Sequence, residues 1–188
     1  SVEGVGFKPY VAICNALNIS WVLRTDNDIF SKTSVTPVKK YYAGISRGIG
    51  IVKDIGDNKT GLIEYWNQHS KENEWPKDAE IPEEAKKLNE YIRTNIKDLG
   101  IFLSDVDLEN DLASSELKDT LMNHYGKRDH DDLVNAMQKK KAENMMEFLT
   151  KNHKELSCLE ESKIVEPLTS LIRITTERTR PDNGERTN

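Results

Sequence analysis

A short apolar run that breaks into two carboxylates is the feature that most constrains this chain. Residues 19–24, Ile-Ser-Trp-Val-Leu-Arg, have the length of a strand, and Thr-Asp-Asn-Asp follows at 25–28. Residues i and i+2 of an extended chain lie on one side of the backbone, so we expect Asp26 and Asp28 to face one crevice. Neighbouring carboxylates repel each other unless a cation or a shared proton lies between them, and Mg²⁺ prefers oxygen ligands. Because the same residues are common in turns and at helix N-caps, the pattern alone leaves both a turn and a metal site open.

The segments around this run predict alternating strands and helices. Residues 1–5 predict a short strand, apolar residues at helical spacing predict a helix over 8–18, and the run at 19–24 is the next strand. A helix predicted over Glu83–Asp98 leads into a buried strand at 101–103. This order predicts an α/β fold with a Rossmann-like parallel sheet flanked by helices. Ligands of such sheets bind outside the carboxyl ends of the strands.

A second acidic segment follows the strand predicted at 101–103. It reads Ser-Asp-Val-Asp-Leu-Glu-Asn-Asp over residues 104–111. Its position after a strand places Asp107 and Glu109 at the same edge of the sheet as the first acidic pair. An acidic helix N-terminus, favoured by the helix dipole, explains the same residues, so both interpretations stay open.

A run of three lysines follows Gln138. Lys139, Lys140 and Lys141 are typical of a solvated surface. At a site that handles phosphate, one of them could instead stabilise the charge that develops in the transition state.

The remaining chain yields coarser expectations. Pro37 suits the first turn of a helix that carries Gly44, Gly48 and Gly50. Residues 70–84 are expected to form a solvated acidic insertion. The sequence also predicts helices over 112–125, 131–137, 145–149 and 154–172, the last distorted by Pro167, and a disordered tail over 175–188. We expect a main domain over 1–150 and a C-terminal helical segment over 151–174.

Composition excludes several classes of protein. No apolar run approaches the ~20 residues that cross a bilayer, and no signal peptide is present. The net charge of −5 argues against a generally basic nucleic-acid coat, but not against a local basic channel. Cys14 and Cys158 have no partners at zinc spacing, so we expect reduced thiols in a cytoplasmic protein.

Taken together, the two acidic segments and the lysine run resemble the Toprim domain of OLD-family (overcoming lysogenization defect) nucleases. Within that family the likeness is greatest to the nuclease subunits of Gabija anti-phage systems. It spans residues 1 to about 150 and rests on Phe7-x-x-Tyr10, Leu-Asn-Ile at 17–19, Arg-Thr-Asp-Asn-Asp at 24–28, the segment 102–112, and Gln-Lys-Lys-Lys at 138–141 with Asn144-Met145.

The resemblance implies a metal-dependent DNA endonuclease that uses Mg²⁺ or Mn²⁺. By position, Asp26 and Asp28 would be paired metal ligands, and Asp107, with Glu109 beside it, the later acidic ligands. Lys141 matches the family's catalytic lysine, with Lys139 as the alternative, and the three lysines 139–141 would contact DNA. The implied partners are an ATPase domain upstream, further copies of the chain and a helicase-like subunit.

One departure from the family pattern concerns the glutamate that ends the first Toprim strand. Glu3 stands one β-α step too close to Asp26 to be that residue, so residues 1–5 align better with the second strand. We therefore expect the glutamate and the ATPase domain upstream of this chain, and weak or no nuclease activity from the chain by itself. The sequence contains no phosphate loop of the G-x-x-x-x-G-K-[ST] type.

Two other functions stay open at this point. One is a non-catalytic module that binds DNA or a partner subunit. The other is a phosphatase of the haloacid dehalogenase type, in which the first aspartate attacks phosphorus and the second acts as the acid. Ile29 and Phe30 depart from that pattern, which expects a small residue and then Thr or Val after the second aspartate.

Overall fold

A computed structural model describes residues 6–56 and 61–179. Its strands are β1 Leu23–Thr25, β2 Ile29–Lys32, β3 Lys39–Tyr42, β4 Trp75–Pro76 and β5 Ile101–Leu103. Its α-helices are α1 Phe7–Ala16, α2 Ala43–Asp54, α3 Leu62–His69, α4 Glu83–Ile96, α5 Leu108–Ala113, α6 Lys118–Tyr125, α7 His130–Gln138, α8 Lys141–Asn152 and α9 Glu166–Thr179.

A parallel pair of strands lies at the centre of the fold. β1 pairs with β5 in the register Leu23 to Ile101 and Thr25 to Leu103. Helices flank this two-stranded sheet, so the predicted α/β class is confirmed and is consistent with a Rossmann-like Toprim fold. The first strand is shorter and later than the predicted run at 19–24, because only three of its residues find partners on β5. The strand predicted at 1–5 lies outside the described residues.

The helix predicted from Pro37 is wrong at its start, because residues 29–42 form a β-hairpin. β2 and β3 pair antiparallel, with Phe30 opposite Tyr41, and the peptide bond before Pro37 is cis. The helix begins only at Ala43, where α2 carries the helical spacing of apolar residues that the sequence shows. Cross-strand pairing, which is not visible in a local pattern, decides the conformation of the first part.

Residues 70–84 are not a wholly solvated insertion. Trp75 is 2% exposed, and β4 adds to the hairpin as its third strand. The side chain of Asn73, equally buried, accepts a hydrogen bond from the Tyr42 backbone N–H (3.1 Å) and donates one to the Tyr42 carbonyl (3.0 Å). This segment therefore closes one side of the first hydrophobic core.

The described residues form two hydrophobic cores. The first is formed mainly by α2, α3, α4 and β5, and the second by α5 to α8. The helix predicted over 112–125 is interrupted, because the Ser115 hydroxyl donates to the Leu112 carbonyl (2.7 Å) and accepts from the Leu117 N–H (3.1 Å). The helices predicted over 83–98, 131–137 and 145–149 match α4, α7 and α8.

The C-terminal part differs from the expected single distorted helix. A 3-10 segment spans His153–Leu159, and α9 begins only at Glu166. Pro167 lies in the first turn of α9, where a helix needs no N–H donor, so it does not distort the helix. The disorder expected from Thr175 is wrong as far as Thr179, and residues 180–188 lie outside the described part. None of the helices formed by the described residues is both long and apolar enough to cross a bilayer.

Candidate active site

The two acidic segments run side by side beyond the ends of β1 and β5. The Ser104 N–H donates to the Thr25 carbonyl (3.1 Å), and the Asn27 N–H donates to the Val106 carbonyl (2.7 Å). The parallel alignment of the strands thus continues into both loops. Their acidic side chains consequently meet at one edge, as the strand pattern predicts.

The buried side chain of Asn27 fixes the position of the first acidic segment. Its side chain is 1% exposed, donates to Asn89 Oδ1 (2.8 Å) and accepts from the Ile45 N–H in the first turn of α2 (3.2 Å). Asp26 and Asp28, on either side of it, stay half-buried. The turn interpretation therefore describes Asn27, while the alternation along the chain leaves the two aspartates at the crevice.

Gly44 allows α2 to approach this loop. A Cβ atom at residue 44 would lie 2.5 Å from Asn27 Oδ1 and 2.6 Å from both Asn27 Cα and the Asp26 carbonyl oxygen. The Ala43 N–H also donates to the Asp28 carbonyl (2.8 Å). Only glycine permits this contact without a shift of the backbone, so residue 44 fixes the position of the acidic loop.

Arg47, one turn further along α2, reaches the same loop. Its guanidinium donates to the Asp26 carbonyl (3.1 Å) and to Thr25 Oγ1. Its charge lowers the pKa of Asp28, but burial and the charges of Asp26 and Asp107 outweigh it and raise that pKa above its usual value. Three carboxylates therefore influence one another across the edge of the sheet.

Asp107 begins helix α5 and is held on both carboxylate oxygens. Its Oδ1 accepts from the Asn110 backbone N–H (2.7 Å) and side chain (2.8 Å), and its Oδ2 accepts from Gln138 Nε2 (2.9 Å). The helix N-terminus proposed as an alternative for this segment is real at Asp107. Its charge nevertheless acts on Asp28, so the capping role and a place at the site coincide.

Lys141 is the lysine of the run that the structure brings to the carboxylates. Its Nζ lies 2.7 Å from Oε1 of Glu109, whose side chain is 1% exposed, and this buried oxygen has no other partner among the described residues. Burial lowers the pKa of Lys141, but Glu109, then Asp26 and Asp107, more than offset this and raise it.

The other two lysines point elsewhere. Lys140, in the left-handed region with φ 48°, pairs with Glu143 at 3.3 Å. Lys139 lines a separate cavity of about 490 Å³ together with Tyr125 and Lys127. Lys141 is thus the lysine of the run that lies against the acidic segments, and its match to the family's catalytic lysine stays a prediction.

The donors at this edge suit a hard cation only in part. Among the described residues, no three His, Cys, Asp or Glu side chains stand close enough to hold a metal ion by themselves. Mg²⁺, however, usually keeps several water ligands and takes one or two carboxylates together with substrate phosphates. Asp26 and Asp28, with Asp107 beside them, fit that requirement. Glu109 fits less well, because Lys141 already neutralises it.

Sequence reasoning missed several residues that shape this site. Arg47 lies outside every motif. Asn110 and Gln138 lie within the segments that carry the family resemblance, but only the fold shows that both bind Asp107. Conversely, Asp111 belongs to the acidic segment but pairs with Arg24, whose side chain also donates to the Ile164 carbonyl (2.9 Å). The bond from Arg24 to Ile164 ties β1 to the C-terminal segment, while the ion pair engages Asp111.

Comparison with known proteins gives one distant relative. No protein-family model matches this chain. The chain is 29% identical over 181 residues to Endonuclease GajA of Bacillus cereus (strain VD045), covering 85% of this chain and 28% of that protein. It thus spans little more than a quarter of the relative's length. This similarity to an endonuclease agrees with the nuclease family that the sequence motifs resemble, while the Toprim assignment itself stays a prediction.

Proposed function

We propose that this chain carries the catalytic site of a metal-dependent DNA endonuclease of the Toprim type. The observation that supports it best is the meeting of Asp26, Asp28 and Asp107 with Lys141 at the carboxyl ends of two parallel strands. The distant similarity to an endonuclease supports the reaction class. Its implied setting in an anti-phage system, with an ATPase domain, further copies of the chain and a helicase-like subunit, is part of the same proposal.

In this proposal Asp26 and Asp28 hold Mg²⁺ or Mn²⁺, with Asp107 at its side. A metal so held would supply an activated water and stabilise the leaving oxygen during phosphodiester cleavage. Asn110 and Gln138 orient Asp107 by bonding both of its oxygens. Ionised Asp28 is disfavoured by burial and by its neighbours, so a cation at this edge relieves the repulsion.

Lys141 has a separate task in the same reaction. Its ammonium group, raised in pKa and next to buried Glu109, keeps its proton at neutral pH. It can therefore stabilise negative charge on the phosphate in the transition state. Glu109 acts as a positioning residue for Lys141 in this scheme. Lys139 and Lys140 are exposed and available to the DNA backbone further away.

Metal binding and DNA nicking, measured together, test the proposal. Mn²⁺ binding is followed by electron paramagnetic resonance. Plasmid nicking in the presence of Mn²⁺ is followed by gel electrophoresis, both for this chain, which is expected to nick weakly or not at all by itself, and for a version extended upstream to include the glutamate that the family resemblance implies. Asp26→Asn should weaken Mn²⁺ binding about tenfold or more and abolish nicking, since it removes a ligand charge. Asp119→Asn, on the exposed surface of α6, is the matched control and should change neither.

The outcomes separate the candidate functions. Nicking that requires Mn²⁺ and Asp26 supports the endonuclease. DNA binding without cleavage by either version of the chain, under any metal condition, would favour the non-catalytic module instead. Hydrolysis of a phosphate monoester through a phosphorylated aspartate, without DNA cleavage, would favour the phosphatase. Unchanged Mn²⁺ binding in Asp26→Asn would contradict the metal site itself.

A further inference from the structure

A basic and aromatic surface begins directly at the proposed catalytic site. The β2-β3 hairpin starts one residue after Asp28 and returns at Tyr42, next to the first residue of α2. Paired residues of an antiparallel ribbon share a face, and so do residues i and i+2. Register therefore places Phe30, Tyr41, Lys32 and Lys39 on one face, which we call the outer face.

On the opposite face of the hairpin, Tyr42 belongs to the first hydrophobic core, whereas Ile29 and Ser31 are exposed. Tyr42 is 8% exposed, and its ring packs against Trp75 at a centroid distance of 5.3 Å. The outer face has no such cover among the described residues. Phe30 is 47% exposed, and its ring meets Tyr41 edge to face at 6.5 Å and 85°. A large aromatic side chain that is exposed beside a proposed active site can bind a ligand with a flat apolar surface.

A groove runs along the outer face. It encloses about 490 Å³ and is lined by Tyr41 and Trp66, with Lys32, Lys71 and Glu74 around them. Its volume lies within the range of cavities that hold small ligands. Aromatic rings that stack on bases, together with lysines that follow the phosphates, are the elements with which proteins bind single-stranded nucleic acid.

Glu74 neutralises part of the positive charge of this groove. Its carboxylate lies 2.6 Å from Lys32 Nζ and 3.1 Å from Lys39 Nζ, with 27% of its side chain exposed. The two lysines, bonded to it, hold the pKa of Glu74 below its usual value, so it stays ionised. Lys32, Lys39 and Lys71 outnumber Glu74 around this groove, so the outer face keeps a net positive charge.

We infer that the outer face of the hairpin binds an unpaired DNA strand and leads it to the catalytic carboxylates. One base stacks on Phe30 and Tyr41, and the backbone follows Lys32 and Lys39 in place of Glu74. Phe30 stands two residues from Asp28, about 7 Å of extended chain, which is the spacing of neighbouring nucleotides. This inference rests on the proposed nuclease function, because it names the strand that the same site would cut.

Fluorescence anisotropy with a labelled oligothymidylate of about 12 nucleotides tests the stacking. Phe30→Leu keeps an apolar side chain but loses the flat ring, and should raise the dissociation constant on the order of 5- to 100-fold. Phe30→Trp restores the ring and should bind like the unchanged protein. Tyr10→Leu, at an aromatic residue 57% exposed on α1, is the matched control and should have no effect.

A gain of binding provides the second arm. Glu74→Gln releases Lys32 and Lys39 from their ion pairs, so it should tighten binding to the same oligonucleotide and steepen its salt dependence. A variant that has lost its fold cannot produce this result. Equal binding by Phe30→Leu and unchanged salt dependence in Glu74→Gln would overturn the inference, as would a loss of binding in Tyr10→Leu as large as in Phe30→Leu.

The inference and the proposed function can fail separately. Phe30→Leu should raise KM for nicking while leaving kcat and Mn²⁺ binding unchanged, since Phe30 touches no metal ligand in this scheme. Nicking that is insensitive to Phe30 would refute the strand-binding face and leave the nuclease intact. Binding that depends on Phe30 and Glu74, without any Mn²⁺-dependent nicking even by the version extended upstream, would refute the nuclease and leave the binding face intact.

Discussion

Replacing Gly44 by alanine should separate the packing of the acidic loop from the general stability of α2. The added methyl group would lie 2.5 Å from Asn27 Oδ1 and 2.6 Å from two backbone atoms of the loop. A side-chain tip could move away, but backbone cannot do so cheaply. The loop must therefore shift away from α2, and with it the carboxylates of Asp26 and Asp28.

The size of the effect follows from three contributions. Overpacking in a well-packed region costs about 1–3 kcal/mol. Weakening the bonds from the Ile45 and Ala43 N–H groups to the loop costs about 1 kcal/mol each. Alanine gains at most ~1 kcal/mol of helix propensity over glycine, and less in a first turn. We expect Gly44→Ala to lower the free energy of unfolding by about 2–4 kcal/mol.

The same helix supplies the controls. Gly50→Ala meets no atom within 4 Å, so it should raise the free energy of unfolding by about 0.5–1 kcal/mol. Gly48→Ala should lie between the two, because the neighbour at 3.1 Å is the flexible tip of Ile96. Urea unfolding measures all three, and Mn²⁺ binding is compared in each folded variant. Equal stability and equal Mn²⁺ binding for Gly44→Ala and Gly50→Ala would refute the argument.

Three other predictions concern charge and the core. Asp28→Asn should raise the melting temperature of the metal-free protein at neutral pH, because the raised pKa of Asp28 means that its ionised form destabilises the fold. This gain should fade as the pH falls through the raised pKa towards the unfolded value of 3.8. Thermal scans across this pH window check it. Lys141→Met should lower the free energy of unfolding by about 2–3 kcal/mol, and Glu109→Gln should lower it by less. The side chain of Glu109 is 1% exposed and that of Lys141 is 53% exposed, so only Lys141→Met leaves a buried charge without its partner. Chemical denaturation of both variants tests this order. Trp75→Ala should cost about 3–5 kcal/mol if residue 75 belongs to the core, whereas a cost below about 1 kcal/mol would support the solvated insertion.

Local patterns predicted the elements whose sequence signal is self-contained. Helix α4, ended by Gly100 in the left-handed region, and helix α7, capped by Asp129, both formed where apolar spacing and caps agree. The sequence did not predict the hairpin, because the helical spacing of its apolar residues continues into α2 and hides the strand pairing. The burial of residue 75 was not predicted for a similar reason. A single tryptophan among acidic residues gives no local sign of burial, which depends on the pairing of its strand with β3.

The candidate site divides in the same way. Spacing along an extended chain predicted that Asp26 and Asp28, just beyond β1, share a crevice, and the edge rule for parallel sheets predicted that Asp107 lies beside them. Both rules act over a few residues or follow from strand direction alone. The sequence could not predict which lysine lies near the aspartates, because the turn between α7 and α8 decides whether residue 139, 140 or 141 faces them.

The sequence by itself determined the α/β class, the strand that precedes each acidic segment and the side of the chain on which the aspartates lie, because strand and helix periodicity and turn chemistry are local properties. Only the tertiary structure decided that Arg47 and Gln138 reach the acidic loops and that Asp111 is taken by Arg24. It also decided that Glu109 lies buried against Lys141. These contacts join residues 22 to 87 positions apart. Their energies depend on burial and distance, which exist only once the two cores have packed.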